Sequence, residues 1–158
     1  MLQRFLIRDG SIVGVALVVW WLAAPLSAGE GWVADLSGWV AGLLFTACAY
    51  LAHEWSHYLG AVVTRSRVPL GTNLSSAFMF SFDSDGNSLL QFVVMSVSGF
   101  VATAVAIYLF YGWLPDAYLA SRVARGGVLF LALLGVVLEL PLLLFGIATG
   151  GVPKQVSV

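Results

Sequence analysis

The chain has 158 residues, of which 60% are hydrophobic and 9% are charged, and its formal net charge is -1. A soluble domain carries roughly 25% charged residues, so this composition excludes an ordinary soluble fold and indicates an integral membrane protein. The small number of basic residues, seven in all, leaves no footprint for nucleic acid, and no nucleic-acid partner is expected.

Four apolar runs follow one another along the chain, at about residues 11–28, 32–63, 89–113 and 128–149. Each is close to or above the roughly 20 residues that cross a bilayer. The first run is long and contains Trp20 and Trp21, which favours an uncleaved anchor over a signal peptide. The sequence therefore predicts an all-α membrane protein, a single integral domain over residues 1–158 with about four transmembrane helices.

The second apolar run contains His53-Glu54-Trp55-Ser56-His57, a His-Glu-x-x-His pattern. On a helix this spacing places both imidazoles on one face, where they can bind one metal ion. Glu54 then lies close enough to activate a water molecule, as in zinc hydrolases. The preceding residues 43–52 carry no charge, and ionisable side chains at membrane depth are usually functional. We expect Zn²⁺ bound by His53 and His57, with Glu54 as the catalytic base.

The segment from 65 to 88 lacks the hydrophobicity of a spanning helix. Phe78, Phe80 and Phe82 recur with a period of two, which predicts a short β-like segment at the membrane surface between helices 2 and 3. These phenylalanines could contact a substrate strand, or they could simply pack at the membrane interface. The run from Asp83 to Asn87 that follows is typical of a turn, since its glycine is misplaced for a calcium loop.

The fourth apolar run contains Glu139, with Pro141 two residues later. A lone carboxylate in such a helix is costly unless it is protonated, paired or bound to a metal. The proline removes a backbone hydrogen bond and can turn a side chain towards a cavity. Zinc needs a third protein ligand and the chain has no further histidine, so Glu139 is the first candidate, ahead of Asp83 and Asp85. A protonated Glu139 bonded to a neighbouring helix is the alternative.

The distribution of basic residues predicts the orientation. With the N- and C-termini in the cytoplasm, five basic residues lie inside and two outside, the inside group being Arg4, Arg8, Arg65, Arg67 and Lys154. We expect an integral protein of a bacterial inner (plasma) membrane, in contact with membrane lipid. The His-Glu-x-x-His pattern then falls in the cytoplasmic half of the second helix.

Together these features resemble the site-2 protease type of intramembrane zinc metallopeptidase, over about residues 38–150. The resemblance rests on Ala52-His-Glu-Trp-Ser-His-Tyr-Leu-Gly-Ala61, on the β-like segment after it, and on Ser96-Val97-Ser98-Gly99-Phe100, which is similar to the family's small-Ala-Gly-Pro stretch. It implies zinc ligation by His53 and His57, water activation by Glu54, and a third carboxylate ligand from the last core helix.

The chain departs from that family where the third ligand is expected. Phe145-Gly146 stands in place of the family's Asp-Gly, and Phe100 stands in place of its proline. Either Glu139 substitutes for the missing aspartate or the site is degenerate. The function expected is that of a zinc metalloendopeptidase acting on a transmembrane or membrane-proximal protein. The alternative is a catalytically inactive relative that serves as an accessory or interaction subunit of a larger membrane complex. Haem ligation is disfavoured, because two histidines on one helix face cannot bind opposite sides of one haem.

Overall fold

The computed structural model describes residues 1–74, 76 and 78–154. Within them the protein is helical, and the elements in chain order are α1 (Leu2–Ala23), a short 3-10 turn (Pro25–Ala28), α2 (Trp32–Val63), α3 (Leu89–Trp113), α4 (Leu119–Leu134), a π-helical segment (Gly135–Glu139) and α5 (Leu140–Thr149). The last three elements form one continuous helical stretch. Four helices, with α4 to α5 taken as one, are long and apolar enough to cross a membrane. The predicted all-α class, with four helices that could span a membrane, is confirmed.

The first and fourth helices begin earlier than the apolar runs that predicted them, at residue 2 instead of about 11 and at residue 119 instead of about 128. Their charged residues are accommodated by specific partners. In α1 the Arg8 guanidinium pairs with Asp9, and Asp9 accepts a hydrogen bond from Trp55. In α4 the Arg125 side chain donates to the carbonyl oxygens of Phe110 and Leu114 at the end of α3. Hydropathy alone cannot detect such pairing.

Helix α2 lies at the centre and packs against α1, α3 and α4. Small residues permit this close approach, as is common between membrane helices. A Cβ added at Gly42 would lie 2.6 Å from the Cβ of Val123 in α4, and one at Gly60 would lie 3.1 Å from the Cα of Met95 in α3. The His-Glu-x-x-His pattern of α2 is thereby held between two neighbouring helices.

The segment between α2 and α3 holds no strand among its described residues. It contains one isolated antiparallel bridge, between Leu70 and Phe80, flanked by hydrogen bonds from Gly71 N–H to Met79 C=O (2.9 Å) and from Ser81 N–H to Pro69 C=O (3.1 Å). Pro69 has no N–H, so it cannot donate the second hydrogen bond that would pair it with Ser81. The predicted β-like segment is therefore reduced to a bridge, and a ladder is not formed.

Candidate metal centre

Two histidines of α2 and one glutamate of the fourth helical stretch meet between the helices. The Nε2 atoms of His53 and His57 lie 2.9 Å apart. Glu139 Oε1 lies 3.2 Å from His53 Nε2, and Glu139 Oε2 lies 3.3 Å from His57 Nε2. Within the described part of the chain, these side chains form a group whose ligand atoms all lie within 4.8 Å of one another. The structure thus brings together the three residues that the sequence singled out, and they could hold a metal ion.

The π-helical segment presents Glu139 to the histidines. Leu140 N–H donates to Gly135 C=O, five residues back, so the helix is widened by one residue just where Glu139 stands. Pro141 follows at once and cannot donate a backbone hydrogen bond, which loosens the same turn. Single-turn π-bulges of this kind are frequent at functional sites. The wide turn places the carboxylate towards α2 within an otherwise apolar helix.

Helix α3 orients both imidazole rings through their Nδ1 atoms. His57 Nδ1 lies 2.8 Å from the Met95 carbonyl oxygen, and His53 Nδ1 lies 3.0 Å from the Gly99 carbonyl oxygen and 2.8 Å from Thr103 Oγ1. A carbonyl oxygen can only accept, so Nδ1 carries the proton and donates. In the neutral rings both Nε2 atoms then present lone pairs towards the same point. This is the second-sphere arrangement that metal-binding histidines use.

Charge and hydrogen bonding at the meeting point also favour a cation. Two imidazole lone pairs and a carboxylate would repel one another at these distances unless a proton or a metal ion lay between them. Glu139 Oε2 is buried and accepts no hydrogen bond in the described structure, although buried carboxylate oxygens almost always have a partner. A bound metal ion would satisfy this oxygen and both Nε2 atoms together.

Glu54 faces a cavity of about 300 Å³ beside the three ligand candidates. His57 and Glu139 also line this cavity, and its remaining wall is formed by Ser96 and apolar side chains, namely Phe78, Phe80, Phe82, Phe92, Met95, Leu138 and Leu142. A carboxylate, two candidate metal ligands and the predicted phenylalanines therefore line one cavity.

The loop aspartates do not join this group. Asp83 Oδ1 instead accepts hydrogen bonds from the backbone N–H groups of Asp85 (3.2 Å) and Gly86 (3.0 Å). This is the side-chain-to-backbone bonding of an Asx turn, as the sequence predicted for this run. Neither Asp83 nor Asp85 lies with the histidines in the group of potential metal ligands.

The sequence did not reveal the residues that support the site from outside. Asp9 is 4% exposed and accepts a 2.9 Å hydrogen bond from the indole of Trp55, which lies within the His-Glu-x-x-His pattern. Arg8 reaches the Leu74 carbonyl oxygen at 2.6 Å and the Ser76 carbonyl oxygen at 3.2 Å. The sequence places Arg8 only among the basic residues expected on the cytoplasmic side. The sequence feature that could have indicated this supporting role is the charged pair Arg8-Asp9 just before an apolar run. Such a pair is equally typical of residues at the membrane surface.

Comparison of the chain with models of protein families, with curated proteins and with solved structures found no match.

Proposed function

We propose that the protein is an intramembrane zinc metalloprotease that cleaves membrane-embedded peptide segments. The observation that carries this proposal is the convergence of His53, His57 and Glu139 beside Glu54, between helices apolar enough to span a membrane. A soluble hydrolase would not need an active site placed between helices that can span a membrane. The His-Glu-x-x-His pattern and the site-2 protease resemblance agree with this arrangement.

The donor set fits zinc in type and in spacing. Structural and catalytic zinc sites use His nitrogen and carboxylate oxygen at about 2.0–2.2 Å, and a tetrahedral site then separates its ligand atoms by about 3.3 Å. The observed separations between the Nε2 and carboxylate oxygen atoms are 2.9, 3.2 and 3.3 Å. Three protein ligands leave the fourth position for water or substrate, which is the pattern of catalytic zinc and not of structural zinc.

The reaction proposed is hydrolysis of a peptide bond. A bound Zn²⁺ supplies the Lewis acidity that activates water and polarises a carbonyl group. Glu54 accepts the proton of the attacking water and passes it to the leaving amine, so that the C–N bond breaks as a carboxylic acid and an amine are formed. His53 and His57 keep their orientation because the carbonyl groups of α3 hold their Nδ1 protons.

The segment carrying the phenylalanines suggests how a substrate would be held. Gly71 and Pro69 bond to Met79 and Ser81, so the backbone groups of Phe80 face the opposite edge. Among the described residues, no hydrogen bond engages the backbone N–H or C=O of Phe80 or Phe82. An unwound substrate could add to this edge as a strand while its side chains meet the phenylalanines.

The proposal includes a location and a partner class. The positive-inside distribution supports cytoplasmic N- and C-termini in a bacterial inner membrane. The substrate would be a transmembrane or membrane-proximal protein. A second candidate is an inactive accessory subunit, which the Phe145-Gly146 replacement of the family's Asp-Gly favours. The approach of Glu139 to both histidines, from another turn of the same helical stretch, supports the protease over this second candidate.

Glu54→Gln tests the proposal, because the amide keeps the shape of the side chain but cannot accept the proton. The purified protein would be incubated in liposomes with a library of transmembrane peptides, and fragments would be identified by mass spectrometry. We expect cleavage by the wild type and by Glu30→Gln, an exposed control on the loop before α2. Glu54→Gln should bind zinc and cleave nothing. A wild type that binds zinc without cleaving would instead support the accessory subunit.

A further inference from the structure

Ser96 of α3 is a buried polar residue that the metal centre does not use. Its side chain lines the cavity of about 300 Å³ together with Glu54, His57 and Glu139, and the residue is 5% exposed. No hydrogen bond engages its hydroxyl group in the described structure. A polar residue this buried normally has a hydrogen-bond partner, so the unpaired hydroxyl group of a residue that lines the cavity is available to a ligand bound there.

Several helical hydroxyl groups in this protein donate to a carbonyl oxygen of their own helix, whereas the Ser121 hydroxyl of α4 is buried without a partner and does not line this cavity. Ser98, two residues further along α3, donates to the Val94 carbonyl oxygen at 2.7 Å. Thr46 of α2 donates to the Gly42 carbonyl oxygen at 3.0 Å in the same way. This local bond is the usual choice for serine and threonine within a helix. Ser96 makes no such bond, and its hydroxyl remains available on the cavity side.

The position of Ser96 along α3 places it next to the groups that orient the imidazoles. Met95, the preceding residue, accepts the hydrogen bond from His57 Nδ1, and Gly99, three residues later, accepts that from His53 Nδ1. One edge of α3 therefore carries both orienting carbonyl groups and the free hydroxyl. The rest of the cavity wall offers carboxylates, which accept, the His57 ring, whose Nδ1 donor is taken up by the Met95 carbonyl oxygen, and apolar side chains, which do neither.

We propose that Ser96 donates a hydrogen bond to the carbonyl oxygen of the scissile peptide bond. This inference rests on the proposed protease function and assigns a substrate contact within it. A substrate carbonyl needs a donor, and Ser96 is the neutral hydroxyl donor among the residues that line the cavity. Negative charge develops on that oxygen during attack by water, so the hydrogen bond strengthens as the reaction proceeds. Ser96 forms no covalent bond with the substrate in this scheme.

The test compares Ser96→Ala with Ser98→Ala, using one peptide that the wild type cleaves in liposomes. Loss of an oxyanion donor typically lowers kcat by about 10²-fold or more. We expect a loss of about that size for Ser96→Ala with KM nearly unchanged, full zinc occupancy, and wild-type kinetics for Ser98→Ala. Ser96→Thr retains a hydroxyl group and should recover most of the activity.

The outcomes separate the two proposals. A change in kcat of less than about threefold for Ser96→Ala, or an equal loss for Ser98→Ala, would overturn the role of Ser96 while leaving the protease intact. Loss of zinc from Ser96→Ala would also overturn it, because the residue would then be supporting the metal ligands. If the wild type cleaves no peptide, the protease proposal itself fails, and the assignment of Ser96 fails with it.

Discussion

Both imidazoles of the candidate metal centre are oriented by backbone carbonyl groups of α3, so the site depends on how closely that helix approaches α2. Gly99 lies at a point of close approach between the two helices. A Cβ built there would overlap the ring of His57, with Cε1 and Nε2 as its nearest atoms. Glycine is required because the imidazole occupies the space that any side chain would fill. A steric requirement therefore explains the glycine of the Ser98-Gly99 pair, which is part of the stretch that is similar to the family motif.

Gly99→Ala should displace the His57 ring and weaken zinc binding by at least about tenfold, in line with losses seen when second-sphere support of a metal ligand is removed. Zinc affinity would be measured by competition with a chelator after purification in detergent. Gly112→Ala is the matched control, because a Cβ at this position of α3 meets nothing within 4 Å. Equal zinc affinity in both variants would show that His57 does not need this packing.

The three candidate ligands were predictable from the sequence for different reasons. The i, i+4 spacing of His53 and His57 fixes their common face on any helix. Glu139 was identified because a carboxylate in an apolar helix carries a high free-energy cost unless it has a partner. Ser96 and Thr103 could not be identified, because small hydroxyl residues are common in membrane helices and only their contacts distinguish them. The direction of each hydroxyl group depends on packing that no spacing rule describes.

At the scale of elements, the fourth helical stretch shows what periodicity misses. A hydrophobic pattern predicts a continuous helix over Val128–Thr149, and proline suggests an irregularity, but neither specifies a π-turn at residues 135–139. Pro141 lacks an N–H, which weakens the hydrogen bonding of this turn. Gly135, at the start of the turn, lies against Phe100, and a Cβ there would lie 3.2 Å from Cε1 of the phenylalanine ring. The direction in which Glu139 points follows from that local geometry.

Helix α1 was predicted as a membrane anchor, yet its start also ties the surface segment to α2. Arg8 holds the Leu74 and Ser76 carbonyl groups, while Asp9 holds Trp55. Ser76 Oγ in turn accepts a hydrogen bond from Phe78 N–H at 3.2 Å, at the edge of the cavity. The contacts form a chain from α1 to the phenylalanine segment. The apolar pattern of α1 contains no information about these contacts, since they depend on side chains that hydropathy counts as unfavourable.

Arg8→Ala should therefore loosen the segment over the cavity and leave the Asp9 carboxylate without its ion-pair partner. Breaking a buried ion pair costs about 3 kcal/mol, and the partial exposure of Arg8 reduces this figure. We expect a lower melting temperature in detergent and faster cleavage by added chymotrypsin at Phe78. Arg4→Ala is the control, because the only hydrogen bond of that side chain in the described structure is to Met1 Sδ at 4.0 Å. If the two variants behave alike, the Arg8 contacts do not hold the segment.

At the scale of the whole molecule, the outer surface agrees with the composition. Large apolar side chains are exposed on every spanning helix, for example Leu17, Trp39, Val101 and Phe145. Such a surface is stable in lipid and would aggregate in water. Composition and length were therefore sufficient to predict the class and the number of spanning helices. The meeting of α2, α3 and the π-helical segment was not predictable, because it depends on small residues at particular helix crossings.

The site lies inside this apolar shell, where its converging polar groups need a proton or a metal ion between them. Two neutral imidazoles and an ionised carboxylate that converge without a cation would carry an unpaired buried charge, which is costly at membrane depth. The central claim is that the ion is Zn²⁺ held by His53, His57 and Glu139. In the competing interpretation, a protonated Glu139 bonds directly to the histidines. The apolar shell is then the same, but no metal is bound.

X-ray absorption at the zinc edge on protein purified in detergent tests this claim most directly. We predict one zinc per chain, with two histidine nitrogen ligands and oxygen ligands at about 2.0–2.2 Å. The Glu139→Ala variant should lose one oxygen ligand and bind zinc more weakly, whereas Glu30→Ala should match the wild type. A wild-type protein that binds no zinc after incubation with the metal, or whose zinc spectrum is unchanged in Glu139→Ala, would contradict the assignment.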